Sequence, residues 1–389
     1  MPSNLIIFVL MKKLVPLLLL VLSAVPAAGR PNVKWRLNND LWYYFDNREF
    51  AASSDAILPS MTHHALVFVP TVEMMLDQGN QSTHSLVLGA DLMHNMGSGD
   101  GRDITVPQEY LIYYDWIART GMGYLDLSAG VFPRKKMGLE WSEAFFSDEY
   151  KFLDRNIEGL MLSWNTLLFK TEFVCDWAGQ RGYDRKERFQ LLSAGDWHIS
   201  RLLNAGWNIA YHHYAGSEVA PGVVDNGLGM LWMKVDFATP DSNWEELSLR
   251  AGVLQGYHRN RPESKTPLLP TGGELQARMR YGVVELTNTA YYGGNQLPFY
   301  YSNDTAGRRL GSNLYFGQPM YSGFYDAVEL ALQWRIWEPV DLRVSARAHF
   351  DGSGFLGWQQ AVSLRFRFDS IRLGAGWLKD VIMSEIFNR

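Results

Sequence analysis

Nine arginines in the last third of the chain, Arg250, Arg278, Arg280, Arg335, Arg343, Arg347, Arg365, Arg367 and Arg372, fall on one side of alternating segments. Their acidic neighbours are Glu246, Glu274, Glu285, Glu329 and Asp351. In the first half the corresponding charges are mainly acidic: Asp40, Glu73, Asp91, Glu109, Asp115, Asp126, Glu158, Glu172, Asp176 and Asp196, opposed by Arg36 and Lys170. A guanidinium is charged at any physiological pH and presents a planar fork to carboxylate or phosphate. Such arginines can line a watery path for anionic groups, or pair with carboxylates on adjacent strands in a lattice with no transport role. Both readings stay open at this level.

A third charged group has no alternation. Residues 132–156, FPRKKMGLEWSEAFFSDEYKFLDRN, carry five acids, five bases and six aromatics, a composition too adhesive for an idle loop. Other chemistry is thinly signalled. His63, His64, His94, His198, His212, His213, His258 and His349 could serve a hydrolase, but no nucleophile motif accompanies them. Cys175 is the lone cysteine, nothing has metal-ligand spacing, and neither cofactor nor metal is expected. The chain is mildly acidic, with a formal net charge of -5, and nucleic acid is not an expected partner.

The elements that must carry these charges follow from a period of two. In DLRVSARAHFDG, Leu342, Val344, Ala346, Ala348 and Phe350 take one face, opposite Arg343, Ser345, Arg347, His349 and Asp351. ELQARMRYG and WQQAVSLRFRFD behave alike. One face is as apolar as lipid and the other is wet, which predicts strands near 34–45, 64–76, 84–94, 107–117, 123–133, 157–165, 168–177, 188–199, 206–216, 227–238, 245–257, 272–281, 283–293, 323–336, 341–351, 358–368, 371–378 and 381–388. Links after even strands are brief (NT, YG, DS), whereas nearly all those after odd strands are long and polar. That asymmetry belongs to a closed transmembrane barrel. The expected fold is all-β, an antiparallel up-and-down barrel of 18 strands, with 16 as the alternative count. Tyr43, Tyr110, Trp116, Trp177, Trp207, Trp334, Trp337, Trp358 and Trp377 fall mostly at strand ends, where interfacial girdles sit.

The N-terminal stretch MKKLVPLLLLVLSAVPAAG has two lysines, an apolar run too short to span a bilayer, and small residues. It predicts a signal peptide over 1–29 with Met11 as the initiator, followed by one barrel domain over 30–389. Export and a barrel together place the protein in the outer membrane of a Gram-negative cell, with lipid outside and the barrel-assembly machinery as a partner.

Counted along the rim of long connections, 134–156 is the third loop. In this layout the sequence resembles the bacterial porins, whose third outer loop folds into the bore. GVFPRKKMGLE…FFSDEYKFLDRN is also similar to the stretch after the corresponding strand in phosphate- and oligosaccharide-selective porins. The resemblance implies a channel for small hydrophilic solutes, with anionic ones as one option, and homotrimers as a common assembly. It makes Glu140, Glu143, Asp148, Glu149 and Asp154 the acidic side of a constriction, facing the late arginines across a gap. Asp40, Glu73, Asp91, Asp115, Asp126 and Glu172 then line the acidic wall. Trp141, Phe145, Phe146, Tyr150 and Phe152 would pin the loop to the wall. The last segment, VIMSEIFNR, resembles an outer-membrane targeting strand, although two residues follow Phe387. The alternatives are a non-conducting barrel that binds surface polysaccharide through LPFYYSNDTAGRRLGSNLYFGQPMYSG, and a barrel hydrolase.

Overall fold

The computed structural model describes residues 32–50, 60–79, 81–97, 107–239 and 241–373. The expected signal peptide, Trp377 and the C-terminal segment from 374 onward lie outside the described residues. Sixteen antiparallel strands close into one barrel: β1 (Asn32–Phe50), β2 (Met61–Asp77), β3 (Ser82–Asn95), β4 (Pro107–Thr120), β5 (Gly123–Pro133), β6 (Asn156–Thr166), β7 (Phe169–Gly179), β8 (Arg188–His198), β9 (Leu203–Tyr214), β10 (Val224–Asp236), β11 (Glu246–Asn260), β12 (Thr271–Tyr281), β13 (Val284–Gly293), β14 (Gly323–Trp337), β15 (Val340–Asp351) and β16 (Gly354–Leu373). Each strand pairs with its sequence neighbours, and β16 returns to pair with β1 from Gly357↔Phe50 to Leu373↔Trp35. Among the described residues the count is therefore the lower of the two expected. Asp369 and Ser370 read as a turn, but pairing with β1 resumes beyond them, so the expected start of a seventeenth strand is the end of β16.

A barrel solves the problem of backbone polar groups in hydrocarbon, because closure leaves no edge strand unpaired. The outward faces are those the alternation assigned: Leu275, Ala277 and Met279 on β12, and Leu342 to Phe350 on β15. Glu158 is the exception among the charged positions. Its β6 neighbour Ile157 is buried inside, opposite the buried Phe132, so Glu158 points outward near the rim of the long loops. The inner face is less wet than alternation suggested. Val67, Leu111, Val174, Leu192, Met230 and Leu254 are inward and buried, and what covers them is described below.

Leu231 sits midway along β10 facing outward, 70% exposed in the isolated chain. Met233, Leu249, Val253 and Leu275 on the outward face of β10 to β12 are exposed with it, the apolar band that a lipid-facing wall requires. Leu231→Arg should destabilise the inserted barrel by about 2–4 kcal/mol, the cost of a midplane cation on a lipid-facing strand. Urea unfolding in vesicles would measure it, and an unchanged midpoint would remove lipid from that face.

Candidate functional site

The connection between β5 and β6 lies inside the barrel, against inward-facing residues of both walls. It opens with a single 3-10 turn at Arg134–Lys136 and contains one short helix, α1 (Asp148–Leu153), capped by the Ser147 hydroxyl, which accepts from the Tyr150 N–H at 3.1 Å. The bases at its two ends meet the acidic wall. Arg134 reaches Asp176 on β7 at 2.9 Å and Asp154 at 3.1 Å, and also donates to the Asn156 carbonyl at 2.9 Å. Lys135 pairs with Asp40 at 3.0 Å and Lys136 with Asp115 at 2.8 Å. Arg155 pairs with Asp91 at 2.5 Å. Burial works against the charge of Arg134, yet the Tyr150 oxygen, Asp154 and Asp176 hold its guanidinium well above the usual range.

The acids in the middle of the loop meet the arginines. Glu143 forms a two-pronged pair with Arg347 on β15. Glu140 accepts from Arg278 on β12 at 2.9 Å and lies 3.8 Å from Arg250. Glu149 pairs with Arg48 on β1 at 2.6 Å. Asp148 lies 3.8 Å from Arg347 and 3.3 Å from Lys151. Enclosure acts to raise the Asp148 carboxyl, although its oxygens stay open to the bore. Lys151 and Arg347 outweigh that and hold it below the usual carboxylate range. The loop acids thus touch the basic wall directly instead of facing it across a gap, and Asp154 serves Arg134 at the neck.

Most of the other predicted arginines are also paired. Arg343 bridges Glu285 at 3.0 Å and Glu329 at 2.8 Å, Arg280 meets Glu245 at 3.1 Å, and Arg335 meets Asp341 at 3.4 Å. Arg365 pairs with Asp40, and Arg367 with Asp341. Arg250 donates to Asn208 at 2.9 Å and lies 4.6 Å over the Trp232 ring. Arg372 is placed by register alone, opposite Arg36. On the acidic side Glu73 accepts from Ser85 at 2.6 Å, and Glu172 accepts from the Gly138 N–H and the Trp141 indole, each at 2.9 Å. Asp126 faces inward on β5, two residues before Ser128, which donates to Asp115 at 2.6 Å.

Aromatic packing fixes the loop between these pairs. Phe152 stacks on Tyr44 at 4.1 Å and meets Trp42 edge-on at 5.0 Å, over the buried Ala65 and Val67 of β2. Phe145 and Phe146 join the large buried cluster with Phe132, Val174, Leu192 and Met230. That cluster is completed by the connection between β13 and β14, whose Leu297, Leu310, Leu314, Tyr315 and Tyr321 are buried. The two loops are joined by backbone bonds from Ser147 to the Phe316 carbonyl and from Gln318 to the Glu143 carbonyl, both 2.8 Å. Gly317 is required at this crossing, because a Cβ there would collide with the Ala144 carbonyl. Ser142, at 2.5 Å, and Tyr321, at 2.6 Å, both donate to the buried Glu274.

One side of the bore is therefore filled, and the other holds a cavity of about 500 Å³ between the loop and the wall of β1, β2, β3, β12 and β16. Its lining carries Asp40, Asp91, Glu140, Glu143 and Asp148 against Arg134, Lys135, Lys151, Arg155, Arg278 and Arg365. The signs are nearly balanced. Trp42, Val67 and Val69 give it an apolar flank.

No family model matches the chain, and no curated protein matches its sequence. Among solved structures, Pseudomonas aeruginosa OpdO aligns at a TM-score of 0.50 and 9% identity, over 86% of this chain and 97% of that one. The chain has the fold of a porin barrel. P. aeruginosa OccK2 (OpdF), solved in complex with glucuronate, aligns over 86% of this chain and 96% of that one at 0.48 and 10% identity. A triple variant of the Rh. blastica porin aligns over 86% of this chain and 100% of that one at 0.44 and 12% identity. At such identities the likeness is one of fold.

Within this barrel, the loop bases Arg134, Lys135, Lys136 and Arg155, and Arg48 on β1, are site residues that the sequence reading does not single out. The signal for the first four was present in the segment itself, where bases flank acids. The inward course of the β13–β14 connection was also missed. Tyr315 and Tyr321, in the stretch on which the polysaccharide-binding alternative rests, are both buried. His212, His258 and His349 are buried against Phe316, Tyr315 and Tyr325.

Proposed function

We propose that this barrel is a diffusion channel for small hydrophilic solutes, with residues 134–156 as its constriction. The observation that carries the reading is the off-centre cavity of about 500 Å³, bounded on one side by the loop and lined by charges of both signs. An ordinary buried core would not retain so many ionisable groups, because desolvation is repaid only by close pairing and added hydrogen bonds. Water in the bore removes much of that cost. Near-balance in the lining argues for weak charge selectivity, so polar and zwitterionic solutes fit as well as anions.

Planar-bilayer conductance in a salt gradient tests this. Wild-type protein should open pores with a small reversal potential. Arg278 and Arg365 line the cavity, and converting both to glutamine leaves Glu140 with only the longer Arg250 contact and Asp40 with Lys135 alone, so the preference should move several-fold toward cations. Arg280 and Arg367 are outside the lining, and their glutamine variants should change it much less. A barrel that inserts and passes no current would sink the channel reading; an unshifted reversal potential would make Arg278 and Arg365 lattice residues.

A further inference from the structure

Beside the packed loops, at the rim of long connections, a second cavity of about 410 Å³ lies between residues 178–188 and residues 304–313. Arg185, Lys186, Arg188, Arg308 and Arg309 line it, against the carboxylates of Asp184 and Asp304. Both carboxylates are already engaged. Asp304 pairs with Lys186 at 2.6 Å and accepts the Ala306 and Arg308 N–H groups at 2.8 and 2.9 Å, and Asp184 pairs with Arg308. Arg188 donates to the Ala178 carbonyl at 3.1 Å, and neither it nor Arg185 meets a carboxylate among the described residues. Arg309 lies over the Tyr300 and Tyr301 rings, at 5.5 and 4.7 Å from their centres, so the guanidinium charge open to a ligand in the cavity rests mainly on Arg185 and Arg188.

We propose that this pocket binds a small multivalent oxyanion, a di- or tricarboxylate or an organic phosphate, at the outer mouth. Two guanidinium forks suit either group, since both accept paired N–H donors. Their shared field, inside a cleft with protein walls, also concentrates anions there. The proposal deepens the channel reading by naming a solute class that the mouth gathers, and it rests on that reading only for what happens to the anion next.

Calorimetric titration of detergent-solubilised protein with citrate, and separately with glycerol phosphate, tests the site, with maltose as the neutral control. Wild-type protein should bind at least one of the two anions and not maltose. Arg185→Gln with Arg188→Gln should weaken that binding at least about tenfold, while the double lysine variant should stay closer to wild type. Citrate alone binding marks the ligand as a carboxylate, and glycerol phosphate alone marks it as a phosphate. Absence of binding to wild type, or equal binding to the heat-modifiable, folded glutamine variant, overturns the proposal. Conductance of the same preparations separates the two readings: a sealed barrel that binds citrate keeps this site and loses the channel, and an open pore that binds neither anion does the reverse.

Discussion

Removing Gly138 to Asp154 should raise single-channel conductance several-fold, admit larger solutes and turn the pore toward anions. The size effect follows because the segment crosses the bore and no strand is touched. The charge effect follows from what leaves with it. The deletion takes out Glu140, Glu143, Asp148, Glu149 and Asp154 but only one base, Lys151. Arg347, Arg278 and Arg48 then lose their carboxylate partners in the loop and face water. Conductance and reversal potential are read from the same recordings. The idea is falsified if the deleted barrel inserts normally and conducts no more than the parent.

Arg134→Ala should release the neck of the same loop. Its guanidinium holds Asp176, Asp154, the Asn156 carbonyl and the Tyr150 hydroxyl, the last at 3.2 Å, and packs 5.1 Å from the Tyr150 ring centre. Removing one partner of a buried ion pair leaves the other uncompensated, at a cost of about 3–5 kcal/mol. Asp176, itself buried, is that partner. The expected result is a noisy, flickering pore and a loop open to added protease, with Arg134→Lys intermediate because it keeps the charge and loses the fork. Quiet recordings and a protected loop in the alanine variant would show that the aromatic contacts alone hold the segment.

The barrel was legible in the sequence because lipid and water impose opposite demands on successive residues. Leu342 through Asp351 could be sorted by face without coordinates. Legibility failed where both faces are apolar: Leu66, Val67, Phe68 and Val69 on β2 show no period, and only packing reveals that Val67 points in, near Phe152. It failed again for pairs that the chain cannot bring near by local rules. Glu143 and Arg347 are 204 positions apart, so their types were readable and their contact was not. The rings of residues 132–156 needed cover, and Phe145, Phe146 and Phe152 find it inside the barrel. The same argument applies to the β13–β14 connection, whose Tyr315 and Phe316 join the cluster built around the other loop.

The seam between the first and last strands has a consequence for how such a molecule is made. Trp42 donates to Ser363 at 2.6 Å across 321 positions, and Asp40 meets Arg365 beside it. Contacts of such sequence separation are slow to form. Until they do, the growing sheet carries two edges, 19 and 20 residues long, with every second backbone group unmated. Such edges invite pairing with other chains, and lipid offers them no hydrogen bonds. The loop then acts as a latch on the finished closure, since Lys135 and Glu149 grip β1 while Glu143 grips β15, on either side of the join.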